Sequence, residues 1–224
     1  MLRQRWEAVS FLHWRFRPPE VARLLPDWVT LEEIDGSAWV GMVPFVAAGT
    51  RLGWLPPALS LPSFPETNLR TYVRTASGQR AVWFFSLEAA STAVVAAARA
   101  ALGVPYRRAV MTARTSDGRC RYASRRRGAG AGHRIEVRPG PPVETADVSE
   151  KDHLLTGRWR AVVPRGRGRL VVPVRHRPWP LHRAEVVELE EDLLASTGLP
   201  RPSAPPEVLW SPGVDAVLGL PRRG

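Results

Sequence analysis

The chain has 224 residues, of which 44% are hydrophobic and 24% charged, a composition that fits a packed globular protein and excludes a disordered one. The net charge is +11, but Lys151 is the single lysine among 32 basic residues. That arginine bias reads as genome composition, so nucleic acid is not expected as the physiological ligand. No apolar run approaches the ~18–20 residues of a membrane span, no apolar leader opens the chain, and Cys120 is the single cysteine; the expectations are a cytoplasmic location, no membrane partner and no disulfide framework.

"PPEVARLL" (18–25) predicts a short helix, with proline at its start and Pro26 as its stop. "AWVGMVPF" (38–45) predicts a buried strand after the Asp35-Gly36 turn. Residues 46–65, rich in Pro, Gly and Leu, predict a long irregular loop. A strand over 66–76, the turn "SGQ" and a return strand over 80–87 predict a β-hairpin. "EAASTAVVAAARAAL" (88–102) predicts the main helix, closed by Gly103 and Pro105. Strands over 106–115 and 119–126 flank Asp117-Gly118 as a second hairpin. A basic, glycine-rich tip (125–132) and a strand over 133–139 follow, then a linker-like loop. "EKDHLLTGRWRAVV" begins as a helical turn and becomes a strand, and "GRLVVPVRH" and "AEVVELEED" read as further strands. From Pro200 the sequence is proline-rich and poorly periodic. One helix among many antiparallel strands gives an α+β class, mainly antiparallel β, as a single domain over 1–224 built on a barrel or strongly curved sheet.

Few motifs carry chemistry. The five histidines form no ligand-spaced pair, so no metal site is expected. P-loop, dinucleotide and nucleophile-elbow patterns are absent. Cys120 reads as a small strand residue, and the tryptophans as core packing or a cavity lining. The informative stretch is "FPETNLRTYV". On a strand, Glu66, Asn68 and Arg70 share one face, and Thr67, Leu69, Thr71 and Val73 the other. The charged face is either ordinary solvated surface or the lining of a polar cavity. The hairpin partner "AVWFFSLE" has large residues on both faces, which favours enclosure on both sides; a buried Glu and Arg must then pair or meet a ligand.

"HW", "DGSAWVGMVPF", "FPETNLRTYV", "VWFFSLEA", "ARAALGVPYRRA" and "HRPWPL", in this order, resemble the bacterial YqjF-like family of the acetoacetate decarboxylase-like fold, over about residues 4–215. The resemblance implies an antiparallel β-barrel with an internal cavity and one main flanking helix. In acetoacetate decarboxylases a Schiff-base lysine follows a helix in a Gly-Phe-Pro-Lys-Lys type motif. The similar stretch here is Gly103-Val104-Pro105-Tyr106-Arg107-Arg108, which puts Tyr106 at the lysine's place and Arg107 at that of its charged neighbour. Neither a phenol nor a guanidinium forms a Schiff base. The expected function is therefore binding of a small organic anion, an oxo or related carboxylic acid, by Asn68, Arg70 and Arg107, without a cofactor. One alternative is a lyase or isomerase acting on such an acid through Glu66 and Tyr106. Another is polyanion binding through the basic hairpin 119–134. A closed polar network that only fixes the barrel and a homo-oligomer are both compatible with the sequence.

Overall fold

The computed structural model describes residues 1–128, 130–166 and 168–223. Its first element is a strand that no turn signal announces, β1 (Leu2–Phe16). α1 (Pro18–Ala22) is shorter than predicted: the Leu24 and Leu25 amides reach back only three residues, to Val21 and Ala22, and unwind the helix into turns. β2 (Val29–Leu31) is brief, whereas β3 (Ala38–Leu52) runs far into the predicted loop 46–65. Antiparallel pairing with β1 holds β3 extended past Pro44 and Gly49, the residues that hide it in the sequence.

β4 (Phe64–Thr75) and β5 (Arg80–Ala89) form the predicted hairpin. α2 (Thr92–Leu102) begins four positions later than predicted. Ser91 caps it by accepting from the Val94 amide, while Glu88 and Ala89 stay in β5, paired with Thr67 and Glu66. Gly103 closes α2 at φ 68°, where an added Cβ would stand 2.8 Å from the Pro164 carbonyl oxygen. Gly103→Ala is expected to cost about 1–3 kcal/mol, read as a lower urea midpoint at unchanged slope.

β6 (Tyr106–Ser116) and β7 (Arg119–Arg126) make the second hairpin, and β8 (Gly132–Pro142) pairs with β7. Ala129, in the predicted glycine-rich tip, lies outside the described residues. α3 (Glu150–Thr156), capped by Ser149, leads into β9 (Arg160–Arg165), β10 (Gly168–His176) and β11 (His182–Glu191). The tail from Pro200 is not unpatterned: β12 (Glu207–Leu218) pairs with β1 along its length, and β13 (Arg222–Arg223) follows. Pro212 and Gly213 obscure β12 in the sequence, because Gly213 takes φ 129° where the strand crosses the Trp6 carbonyl.

All described strands join one thirteen-stranded sheet, ordered β13-β10-β9-β5-β6-β7-β8-β11-β12-β1-β3-β4-β2. Pairing is antiparallel except where β5 runs parallel to β6 and to β9. Two further pairings, β4–β5 and β10–β12, close the sheet on itself. The larger ring passes through β5, β6, β7, β8, β11, β12, β1, β3 and β4; the smaller passes through β5, β9, β10, β12, β1, β3 and β4. The predicted α+β, mainly antiparallel class therefore holds, with two unequal rings in place of an even barrel. β12, β1, β3, β4 and β5 form a wall common to both rings. Leu12, Trp14, Met42, Leu69 and Ile135 fill the core of the larger ring, all almost fully buried. Each such side chain contributes about 1.5–3 kcal/mol by leaving water.

Candidate functional site

Strand alternation explains what the common wall presents to each ring. On β1, Leu12 and Trp14 enter the larger ring's core, while Val9 and Phe11 line a cavity in the smaller ring. β4 does the same with polar residues. Leu69 packs into the larger ring, whereas Glu66, Asn68 and Arg70 line the cavity. The question posed by "FPETNLRTYV" resolves in favour of burial on both faces: Glu66, Thr67, Leu69, Arg70 and Thr71 are all buried.

The cavity measures about 160 Å³ and its wall is mostly apolar, with Phe11, Phe45, Phe84 and Trp179 among its residues. Trp6 stacks on Trp179 at 6.0 Å, and the His176 ring stands 4.7 Å from Trp179. Polar groups enter at two places. At one, the Tyr106 hydroxyl lies 3.2 Å from both carboxyl oxygens of Glu66. Burial, helped by the charge of Glu88 on the adjacent strand, pushes the Glu66 carboxyl up to about 8 against the pull of the Tyr106 hydroxyl. Burial, with Glu66 beside it, holds the Tyr106 phenol well above its ordinary value. Glu66 therefore carries its proton at neutral pH and offers a hydrogen-bond donor or an acid.

At the other place two guanidinium groups flank one ring. Arg70 lies 5.8 Å and Arg158 4.8 Å from the Tyr72 ring centre. Arg70 Nη2 donates to the Leu155 carbonyl at 3.2 Å, and its Nε–H has no partner. Arg158 Nη1 donates to Glu32 at 2.6 Å, leaving Nε and Nη2 without partners. The Tyr72 hydroxyl donates to the same Leu155 carbonyl at 2.6 Å and sits 2.6 Å from His13 Nε2. His13 is therefore the donor in that last contact. Burial, assisted by Arg70, Lys151 and Arg158, keeps it neutral, well below its usual range. Asn68 Oδ1 is also buried without a partner. The unpaired guanidinium N–H donors, and the Asn68 oxygen as an unpaired acceptor, are costly unless a partner meets them.

The structure thus gathers Glu66, Asn68, Arg70 and Tyr106 around one cavity and leaves Arg107 out. Tyr106 points inward, so strand alternation turns Arg107 outward, where it is exposed. Lys151 is not in the cavity wall; its Nζ pairs with Glu207 at 2.6 Å. Cys120 is buried in the larger core. Among the described residues no group of acids, histidines and cysteine could hold a metal ion. His133 is a buried neutral partner of Thr67 at 2.8 Å, lowered to about 4 by burial. Sequence reasoning missed Tyr72 and Arg158. Tyr72 continues the 66, 68, 70 alternation and could have been found by extending it. Nothing marks Arg158 among its many fellow arginines.

A family model described as an uncharacterized conserved protein, DUF2071, matches residues 3–215. The chain belongs to this family. Uncharacterized protein YqjF of Bacillus subtilis (strain 168) is 31% identical over 224 residues, which are 100% of this chain and 92% of the relative. Among solved structures, acetoacetate decarboxylase from Legionella pneumophila superposes with a TM-score of 0.70 at 12% identity, covering 100% of this chain and 87% of that one. The enduracididine biosynthesis enzyme MppR in complex with pyruvate gives 0.69 at 12% identity, with 100% and 90% covered. At such identities these likenesses establish the acetoacetate decarboxylase-like fold of this DUF2071 protein and leave its chemistry to its own residues. Among the described residues no helix is long and apolar enough to cross a membrane.

Proposed function

We propose that this protein binds a small organic anion, an oxo acid or a related carboxylic acid, in the cavity of the smaller ring, without a cofactor. The observation that carries the reading is the pair of buried guanidiniums, Arg70 and Arg158, lining an apolar chamber with N–H groups unpartnered. A carboxylate satisfies those donors and the local excess of positive charge together. The protonated Glu66 and Tyr106 supply a donor for a second oxygen of the ligand. That a protein of this fold is known in complex with pyruvate is consistent with the class of ligand. Schiff-base decarboxylation is not part of the proposal, because the sole lysine, Lys151, is engaged with Glu207 away from the cavity.

A second reading is supported by one observation, the displacement of the Glu66 carboxyl to about 8. A group of that acidity can move a proton at neutral pH, as enolisation or hydration of an oxo acid requires. Polyanion binding by the 119–134 hairpin has less support. Arg119 and Arg121 pair with Glu136, Arg126 turns inward to Glu88, and Arg134 faces Glu188.

A thermal-shift panel of pyruvate, acetoacetate and longer oxo, hydroxy and unsaturated acids tests the binding. A true ligand at about a hundred times its Kd stabilises the fold by roughly 2.7 kcal/mol. Arg70→Gln is expected to abolish that shift. If no acid shifts the wild-type protein, the anion reading is wrong. Exchange of α-deuterium in a bound oxo acid, lost in Glu66→Gln, would select the enzymatic reading over simple binding.

A further inference from the structure

The large apolar side chains left exposed are not spread evenly over the described residues. Val110 and Val187 lie apart on β6 and β11, and Trp159 packs its ring on His176, but Met1, Leu52, Trp54, Leu59, Leu61 and Leu220 gather at one end of the common wall. The register places them there. Leu2 pairs with Leu218 on one side and Leu52 on the other, so Met1, Gly53-Trp54 and Gly219-Leu220 emerge from adjacent strands. The Gly53 amide donates to the Met1 carbonyl, and the Leu61 amide to that of Thr50, which folds the 53–63 segment back onto this end. Trp54 is 77% exposed, and Pro56 and Pro57 stiffen the loop that carries it. A contiguous apolar surface of this kind marks a contact site.

The charge nearest the patch is positive, and the first acids along β1 and β12, Glu7 and Asp215, are both paired with Arg5. Arg3 and Arg51 are direct cross-strand partners, like charges at a position where they repel, and neither has an acidic partner among the described residues. Arg222 and Arg223 are exposed just beyond Leu220. Residues 1–6, 36–65 and 216–224 contain no Asp or Glu at all. A second copy of this chain, meeting the patch about a two-fold axis, would press arginine against arginine. An anionic lipid surface meets both demands: it accepts Trp54 and the leucines into its interfacial layer and neutralises the arginine collar.

We infer that this end of the protein docks on the surface of a membrane containing anionic lipid, as a peripheral contact without a spanning segment. The inference stands apart from the cavity reading and revises the expectation, drawn from the lack of a spanning run, that no membrane is involved. Leu2 and Leu218, in the row that carries the patch, also line the cavity, so docking sets the cavity wall beside the bilayer.

Co-sedimentation of the full chain with vesicles tests it, using phosphatidylcholine alone and phosphatidylcholine mixed with phosphatidylglycerol, at about 0.15 M salt. The wild-type protein is expected to sediment with the anionic vesicles only. Trp54→Ser with Leu59→Ser, and separately Arg3→Glu with Arg51→Glu, should each weaken binding by on the order of ten-fold or more. Arg125→Glu with Arg127→Glu, on the basic tip elsewhere, should leave it near the wild-type level. Failure to sediment, equal binding to both vesicle types, or equal loss in the tip variant overturns the inference. So does a dimer in sedimentation equilibrium that Trp54→Ser with Leu59→Ser converts to monomer, which would make the patch a self-interface.

Discussion

Glu32→Ala is expected to cost about 3–5 kcal/mol, the loss that follows when one partner of a buried ion pair is removed. Glu32 is 4% exposed and holds three arginines: Arg158 at 2.6 Å, Arg80 at 2.6 Å and Arg74 at 3.0 Å. Arg74 and Arg80 reach solvent and can exchange the carboxylate for water. Arg158 cannot, because its side chain is 3% exposed and two of its three nitrogens already lack partners. Arg74→Ala removes a half-exposed member of the cluster and is expected to cost under about 1 kcal/mol. Urea unfolding of both variants beside the wild type makes the comparison. A Glu32→Ala protein as stable as Arg74→Ala would mean that Arg158 has another counter-charge, and the account of the cavity's cationic end would have to change. The same substitution should also remove the ligand-induced thermal shift, since Glu32 sets where the Arg158 guanidinium sits.

The second large effect is a dependence on pH. The Glu66 carboxyl, ordinarily near 4.5, titrates at about 8 in the folded protein. Between those values the unfolded chain has released this proton while the folded chain retains it, so stability falls as pH rises through the window. Below about 4.5 both states are protonated and the penalty is absent; above about 8 both are ionised and it is complete. From pH 5 to pH 8 the wild-type protein should lose on the order of 4 kcal/mol more than Glu66→Gln, whose amide does not titrate. Glu88 is also raised, chiefly by burial, and contributes a slope of the same sign, but both proteins share it. His133, lowered from 6.5 to about 4 by burial, contributes a slope of the opposite sign between those values, which both proteins also share. Chemical unfolding at several pH values gives the two curves. Parallel curves would show Glu66 ionised at neutrality, and its part in the cavity would then be that of a base.

The contrast between the elements that were legible in the sequence and those that were not has one physical cause. The hairpin of β6 and β7 was readable because Asp117-Gly118 supplies the turn and its strands are not enclosed on both faces. β1, the second half of β3 and β12 were not, although they are central to the sheet. They lie in the wall common to both rings, and a strand covered on both faces loses the period-two pattern. Pro44, Gly49, Pro212 and Gly213 then look like breakers, when they sit at bulges and crossings that the pairing accommodates. β4 escaped this because its cavity face carries charged and amide side chains while its other face carries only threonines and aliphatics, so Glu66, Asn68 and Arg70 stood out. Tyr106 was placed by the family resemblance, which also suggested Arg107; strand alternation takes Arg107 to the outside. Arg158 had no local signature, because its importance depends on Glu32, distant in sequence.

β12 joins β1 to β11 in one ring and β1 to β10 in the other. During synthesis, then, neither ring can close until residues 207–218 have left the ribosome, and Leu2 must wait for Leu218. Until that moment β1 has an open edge, and the wall that will hold Arg70 faces water on the side of the future cavity. At typical elongation rates of about 5–20 residues per second this exposure lasts on the order of ten seconds or more. Chaperone dependence and aggregation during expression should therefore respond most to changes in β1 and β12, the strands that complete both rings last.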